Sequence, residues 1–302
     1  MAIVGGGAGG LSAALVLGRA RRSVVVIDAG EPRNAPATQL HGYLTRDGMS
    51  PQAFLLAGRE EIESYGVQLR RGQVTTAVPS TGGFTLTCLD GSAITARRLI
   101  LATGLVDRLP DLPGLAKRWG NDVVHCPYCH GWELRDTPTA VLASSAEDLM
   151  KALVVSRLSG DTVLIQHELT DAELTVQARR RLAAAHVDVV DARASEVLVE
   201  NDALTAVRLA DGRMVRCRVL YISPRFDVRD EILRQLDVDM HETKFGRYPV
   251  TDETGKSSED GLWIVGNAAS ATEQVVHAAS GGYKAAQAIN TSLLVQDLDH
   301  NA

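Results

Sequence analysis

Apolar positions along the chain follow two rhythms. Ala2-Ile3-Val4, the β-branched run Ser23 to Ile27, and Leu99-Ile100-Leu101-Ala102 are short continuous runs, composed like buried parallel strands. The stretch Pro51 to Tyr65 instead places Phe54, Leu55, Ile62 and Tyr65 near one face of a helix. Between these, Ala29 to Pro51 carries Gly, Pro and Asn without period and reads as a long functional loop. Strand-like segments then run to Arg98, with a hairpin turn at Asp90-Gly91 and lone cysteines at Cys88 and, further on, in the run Met214 to Ile222. A Pro-rich crossing at Pro110 and Pro113 marks a domain boundary. Beyond it lie a strand (Thr139 to Ala143), a helix (Ala146 to Leu158) and a strand (Thr162 to Gln166). The chain closes with the apolar run from Leu262 to Asn267 and a helix from about Val275 to Leu294. Two βαβ units, the first completed late in the chain, predict a two-domain α/β fold.

The totals narrow the class. A chain of 302 residues, 45% hydrophobic and 23% charged, has the make-up of a folded globular protein. Its net charge of −6 and scattered Arg residues give no footprint for nucleic acid. No apolar run reaches the roughly 18 residues that span a bilayer, and Ala2 enters a strand with no signal peptide ahead of it. A cytoplasmic enzyme is expected.

Gly5-x-Gly7-x-x-Gly10, with Ala8 and Gly9 inside it, lies between a strand and a helix, and Asp28 ends the next strand. Gly5 permits the turn, Gly7 admits a pyrophosphate to the backbone, Gly10 lets helix and strand pack, and Asp28 can accept from ribose hydroxyls. This pattern alone does not separate FAD from NAD. Ala102-Thr103-Gly104, inside LILATG, resembles the ATG segment of flavoproteins with two dinucleotide-binding domains. Trp263 to Asn267, followed by Gln274-Val275-Val276-His277, resembles their second FAD-contacting stretch. FAD is the expected cofactor, with Asn267, Gln274 and Val275 among its contacts.

Cys126-Pro127-Tyr128-Cys129-His130 is a redox or metal element rather than a structural staple. At a helix N-terminus such a pair favours a thiolate. One cysteine then exchanges with a substrate thiol or disulfide while the other resolves the mixed disulfide. Zinc is the rival reading, through His125, Cys126, Cys129 and His130, but adjacent residues converge poorly on a tetrahedral ion. No metal is expected.

Taken in order, GGGAGG, LILATG, the central C-x-x-C and the GN…Q…H-A-x-S-G-G ending resemble the low-molecular-weight thioredoxin reductases. The resemblance implies two Rossmann-like domains in a homodimer. One is a discontinuous FAD domain (1–115 and 246–302); the other is a middle domain (116–245) carrying the cysteines. It also implies that Cys126 is the exchange cysteine and Cys129 the flavin-proximal one.

The sequence departs from that family where it matters. The turn that holds NADPH in the reductases here reads Val141-Leu142-Ala143-Ser144-Ser145-Ala146-Glu147, with no glycine. The basic cluster for its 2′-phosphate is replaced by Gln166-His167-Glu168-Leu169-Thr170-Asp171. His130 stands where the reductases have an Asp, and His277 lies in the stretch that runs beside the flavin, as a second base or as a structural histidine. Asn267 replaces an Asp, keeping an acceptor and losing the charge. A C-x-x-C-H pattern beside a degraded NADPH turn resembles the dithiol oxidases that close disulfides in natural products such as gliotoxin and holomycin. The implied substrates are a small-molecule dithiol and O2, with H2O2 as product. Three alternatives stay open: a reductase fed by ferredoxin, an NADPH enzyme with an atypical site, and a non-catalytic flavin redox sensor.

Overall fold

A computed structural model of the chain describes residues 1–299. In chain order the elements begin with β1 (Ala2–Val4), α1 (Ala8–Arg19), β2 (Val25–Asp28), α2 (Pro51–Glu63) and β3 (Gln68–Arg71). A three-stranded antiparallel sheet follows, β4 (Val74–Ser80), β5 (Gly83–Cys88) and β6 (Ala93–Ala96), before β7 (Leu99–Leu101) and β8 (Leu105–Arg108). Next come β9 (Val123–Val124), α3 (Pro127–His130), β10 (Thr139–Leu142), α4 (Ala146–Val155), β11 (Thr162–Ile165), α5 (Val176–Ala184) and β12 (Val187–Val190). A second antiparallel trio is formed by β13 (Ala194–Glu200), β14 (Ala203–Leu209) and β15 (Met214–Arg216). The remaining elements are β16 (Val219–Tyr221), β17 (Arg225–Val228), α6 (Glu231–Gln235), the hairpin β18 (Met240–Thr243) and β19 (Gly246–Pro249), β20 (Leu262–Ile264) and α7 (Val275–Asp299).

The chain forms two compact units. The first takes Met1–Ala35, Met49–Asp107 and the chain from Phe226 onward; the second takes Pro36–Gly48 and Arg108–Arg225. The divisions at Asp107/Arg108 and Arg225/Phe226 thus fall ahead of residues 115 and 246, the bounds that the resemblance implies. The second unit also claims a piece of the loop after β2.

Each unit is built on a five-stranded parallel sheet, in the order β20-β7-β1-β2-β3 in the first and β12-β11-β10-β16-β9 in the second. Both follow one plan. A central strand is flanked on one side by the next two parallel strands, and on the other by the strand that returns after the antiparallel trio. This is the α/β layout that the apolar runs predict, in the Rossmann-like form that the resemblance implies. In the first unit, pleat alternation sends Ala2 and Val4 into one apolar cluster and Ile3 into the other, all of them buried. α7 packs on α1 through glycine: a Cβ on Gly282 would meet Gly9 O at 2.0 Å.

Some local expectations shift. The run Met214 to Ile222 is two strands rather than one, because the chain changes sheets at Cys217. β15 pairs antiparallel with β14, β16 pairs parallel with β10, and Arg218 N–H donates to Pro138 O (2.7 Å) at the crossing. Cys217 is buried there, and burial pushes its thiol up to about 12, so it is inert packing. Among the described residues no helix is long and apolar enough to cross a membrane.

Candidate active site

In the first unit the glycine turn is defined by close approaches. Gly5 has φ +105°, and a Cβ on it would meet Ala102 O at 2.3 Å, so the end of β7 lies directly against the turn. A Cβ on Gly10 would meet Gly5 O at 2.0 Å, which is the helix–strand contact that the third glycine permits. Gly7 differs from both: it lies at the N-cap of α1 with extended backbone, and a Cβ there would meet nothing within 4 Å. No side chain caps α1. Its first N–H groups, with the positive end of a 12-residue helix behind them, face that open space.

Asp28 ends β2 beside the turn. Its Oδ1 accepts from Gly6 N–H (3.1 Å) and its Oδ2 from Arg59 (3.0 Å). Thr103, between Ala102 and Gly104, has a buried hydroxyl with no hydrogen-bond partner. An uncapped helix end, open space over Gly7 and an orphaned hydroxyl fit a dinucleotide's phosphates and ribityl oxygens.

The C-terminal stretch of this unit is bound into a polar net. Asn267 Nδ2 donates to the carbonyls of Ser270, Ala271 and Glu273, and Asn267 Oδ1 accepts from Arg33 (3.1 Å). Arg33 in turn grips Asp107 through two bonds (2.8 and 2.7 Å) and lies over the Phe226 ring. Asn267 Oδ1 thus accepts one hydrogen bond inside the protein and keeps a second lone pair. Gln274 precedes α7 and Val275 opens it. His277 is exposed, and its Nδ1 accepts from Gln274 N–H (3.3 Å), which satisfies one of that helix's orphan donors.

In the second unit Cys126 and Cys129 form a disulfide with Cα atoms 5.3 Å apart, both half-buried. The helix between them, α3, is a single turn opened by Pro127. The N–H groups of Cys129 and His130 are directed at Cys126 O. The helix end that the sequence suggested as a thiolate stabiliser is thus one turn deep, with little summed dipole. His130 is half-buried, and neither ring nitrogen has a hydrogen-bond partner. Burial holds its pKa below the usual histidine range, leaving a neutral imidazole at neutral pH beside the disulfide. An open groove of about 580 Å³ starts at Pro127 and Tyr128, the two residues between the cysteines in sequence, and continues along Trp132, Met150, Leu153 and Leu158. Tyr128 (80% exposed) and Trp132 (66%) offer their rings to solvent beside the cysteines.

The second unit's nucleotide-type turn, between β10 and α4, is filled by its own chain. Asp148, fully buried, accepts through Oδ2 from Ser144 N–H (2.9 Å) and Ser145 N–H (3.1 Å). Its Oδ1 accepts from Ser223 and from Lys151 (3.1 Å). The carboxylate of α4's own third residue thus caps the N–H groups of this turn.

The profile of the pyridine nucleotide-disulphide oxidoreductase family matches residues 1–282. The chain belongs to this family. Thioredoxin reductase aclD of Aspergillus oryzae is 31% identical over 96% of this chain and 95% of its own. A probable thioredoxin reductase of Arthroderma benhamiae is 35% identical over 53% of this chain, a match spanning 42% of that protein. The crystal structure of HlmI superposes with a TM-score of 0.92 and 41% identity, over 99% of this chain and 94% of that one. The protein is therefore a flavin-dependent thiol/disulfide oxidoreductase of the thioredoxin reductase type.

Within this flavoenzyme the glycine turn, Asp28, Ala102–Gly104, Asn267, Gln274, Val275 and His277 belong to the first unit, and Cys126, Cys129 and His130 to the second. Sequence reasoning missed Arg33, Asp107 and Asp148. The last had a visible signal, Ser145-x-x-Asp148 ahead of an apolar helix, which is a capping pattern.

Proposed function

We propose that this flavoenzyme binds FAD and oxidises a small, largely apolar dithiol to its disulfide, with O2 as the final acceptor. The observation that carries the reading is Asp148. Its carboxylate uses the helix-end N–H groups that a nicotinamide dinucleotide would need, and its charge repels a phosphate. The electron source is then the dithiol side.

His130, neutral and next to the cysteines, takes the proton of a substrate thiol; the thiolate attacks Cys126 Sγ, and Cys129 leaves as thiolate. The second substrate thiol, deprotonated in turn, displaces Cys126 and closes the product disulfide. When bound, FAD would supply the two-electron chemistry that returns the cysteines to the disulfide and delivers the pair to O2. Gly7, the uncapped N-terminus of α1, Asp28 and Thr103 would hold it. The sum is one dithiol and one O2 giving one disulfide and one H2O2. The groove beside Tyr128 and Trp132 suits an apolar ring system bearing the two thiols. His277 is the second candidate base, and the working form is proposed to be a homodimer.

An oxygen electrode with dithiothreitol as surrogate substrate tests the reading, with catalase returning half of the oxygen consumed. Wild type should take up oxygen, and the Cys126→Ser protein should not. Anaerobic NADPH should leave the flavin yellow. Rapid bleaching by NADPH, or bleaching by the dithiol under argon with no oxygen uptake in air, would sink the proposal.

A further inference from the structure

The loop after β2 contains a second histidine arrangement. In Leu40-His41-Gly42-Tyr43-Leu44-Thr45-Arg46-Asp47-Gly48, Gly48 N–H closes the loop on Leu40 O (2.9 Å). Gly42 and Gly48 lie at φ +77° and +79°, where a side chain would be strained. Asp47 holds the opposite side: Oδ1 accepts from Gly42 N–H (2.8 Å), and Oδ2 lies 3.3 Å from His41 Nδ1. The Gly42 N–H, then His41, keep the Asp47 carboxyl below its usual range, so it is ionised at neutral pH and Nδ1 carries the hydrogen between them.

The other nitrogen, His41 Nε2, is buried with no hydrogen-bond partner, 3.5 Å from Glu133 Oε1 but not aligned with it. The His41 side chain is 14% exposed and that of Glu133 is 35% exposed, so Glu133 reaches water. Glu133 lies in the turn that follows His130, where Leu134 N–H donates to His130 O (3.1 Å); beyond the effect of burial, Glu133 favours the protonated form of His130 and a protonated His41 disfavours it. Tyr221 is buried, and burial, with Glu133 adding to it, pushes its hydroxyl up to about 12. All these residues belong to the second unit, the one that carries the cysteines.

Closing a disulfide releases two substrate protons in succession, and a half-buried His130 with no partner of its own must be emptied between them. We infer that His41, aimed by Asp47, and Glu133 form the path by which His130 passes each proton to solvent. The inference rests on dithiol exchange at Cys126–Cys129. The proton moves from substrate S–H to His130, then through His41 and Glu133 to water. The electron pair stays with sulfur, in the bonds already described. His41 and Asp47 are positioning residues, since neither is required to touch substrate.

The experiment is anaerobic stopped-flow bleaching of the flavin by dithiothreitol, across pH, with and without added imidazole. His41→Ala should slow bleaching on the order of 10- to 10²-fold near neutrality, at or below the range of a group that transfers protons to substrate directly. The loss should shrink in alkaline solution and be partly reversed by imidazole, with flavin content unchanged. Asp47→Asn should show a smaller loss of the same form. If His41→Ala does not fold, His41→Gln and Asp47→Asn carry the test. Wild-type rates in these variants, or a loss uniform in pH and indifferent to imidazole, would overturn the inference while leaving exchange intact. A wild-type protein that dithiothreitol cannot bleach would remove the exchange reading, and this inference with it.

Discussion

The two parallel sheets share one strand plan, yet their first turns treat an anion in opposite ways. At the end of β1, glycine leaves the N-terminus of α1 bare and the space over Gly7 empty. After β10, serines lead into α4, and Asp148 closes the same position from within. One Rossmann-like frame therefore carries two differently capped helix ends. Two or three residues at one turn decide whether the helix end serves a cofactor or the protein's own stability.

The sharpest way to test that division is at the cysteines. If the chemistry lies in the second unit, His130→Ala should lower dithiol turnover by ~10²–10⁴-fold, and by more than His277→Ala in the first. Because burial lowers its pKa, His130 stays a free base below the usual histidine range, and wild-type activity should persist into mildly acid solution. The variant's deficit should shrink as pH nears the thiol's own value of about 8.5. A deficit constant in pH would indicate packing damage and blur the contrast.

The next effect is on stability. Asp148→Ala leaves Lys151, whose side chain is 10% exposed, without its carboxylate and should cost about 3–5 kcal/mol in urea unfolding. Asp28→Ala breaks a pair whose side chains are 18% and 31% exposed, and should cost at most about 1 kcal/mol. Equal losses would mean that Asp148 is not the internal anion described above.

The smallest effect concerns the glycine turn itself. Gly7→Ala adds a Cβ that meets no atom within 4 Å at an ordinary φ, so the apoprotein should melt as wild type does. The side chain would occupy the open space, however, and flavin affinity measured by ultrafiltration should fall about tenfold, or ~1.4 kcal/mol. Ser144→Gly in the other turn should change neither flavin content nor NADPH response, because Asp148 still holds the N–H groups. NADPH bleaching in that variant would show the serine side chain, not the acid, to be the block.

Features with a local signature were legible in the sequence: the glycine spacing, the apolar run Leu99–Leu101, and the paired cysteines. The lack of glycine between Val141 and Glu147 was visible too, but the substitute anion was not read from Asp148, although its capping spacing is local. Contacts far apart in sequence left no such trace. Arg33 meets Asp107 and Asn267, and His41 meets Glu133, through tertiary packing that no periodicity encodes. Cys217 was misplaced inside a strand for the same reason, since a change of sheet is set by partner strands rather than by the residues at the crossing.

The excursion of Pro36–Gly48 has a consequence for how the protein is made. Both units are interrupted in sequence, so neither emerges from the ribosome as one uninterrupted stretch. The first lacks β20 and α7 until the whole of the second has been made, and the second takes its histidine loop from a segment translated long before the rest of it. A gene fragment spanning Arg108–Arg225 would encode the disulfide and His130 but leave out His41 and Asp47. Recombination that shuffled this stretch between relatives as a cassette would therefore separate the cysteines from part of their surroundings, whereas exchange of the whole chain would not.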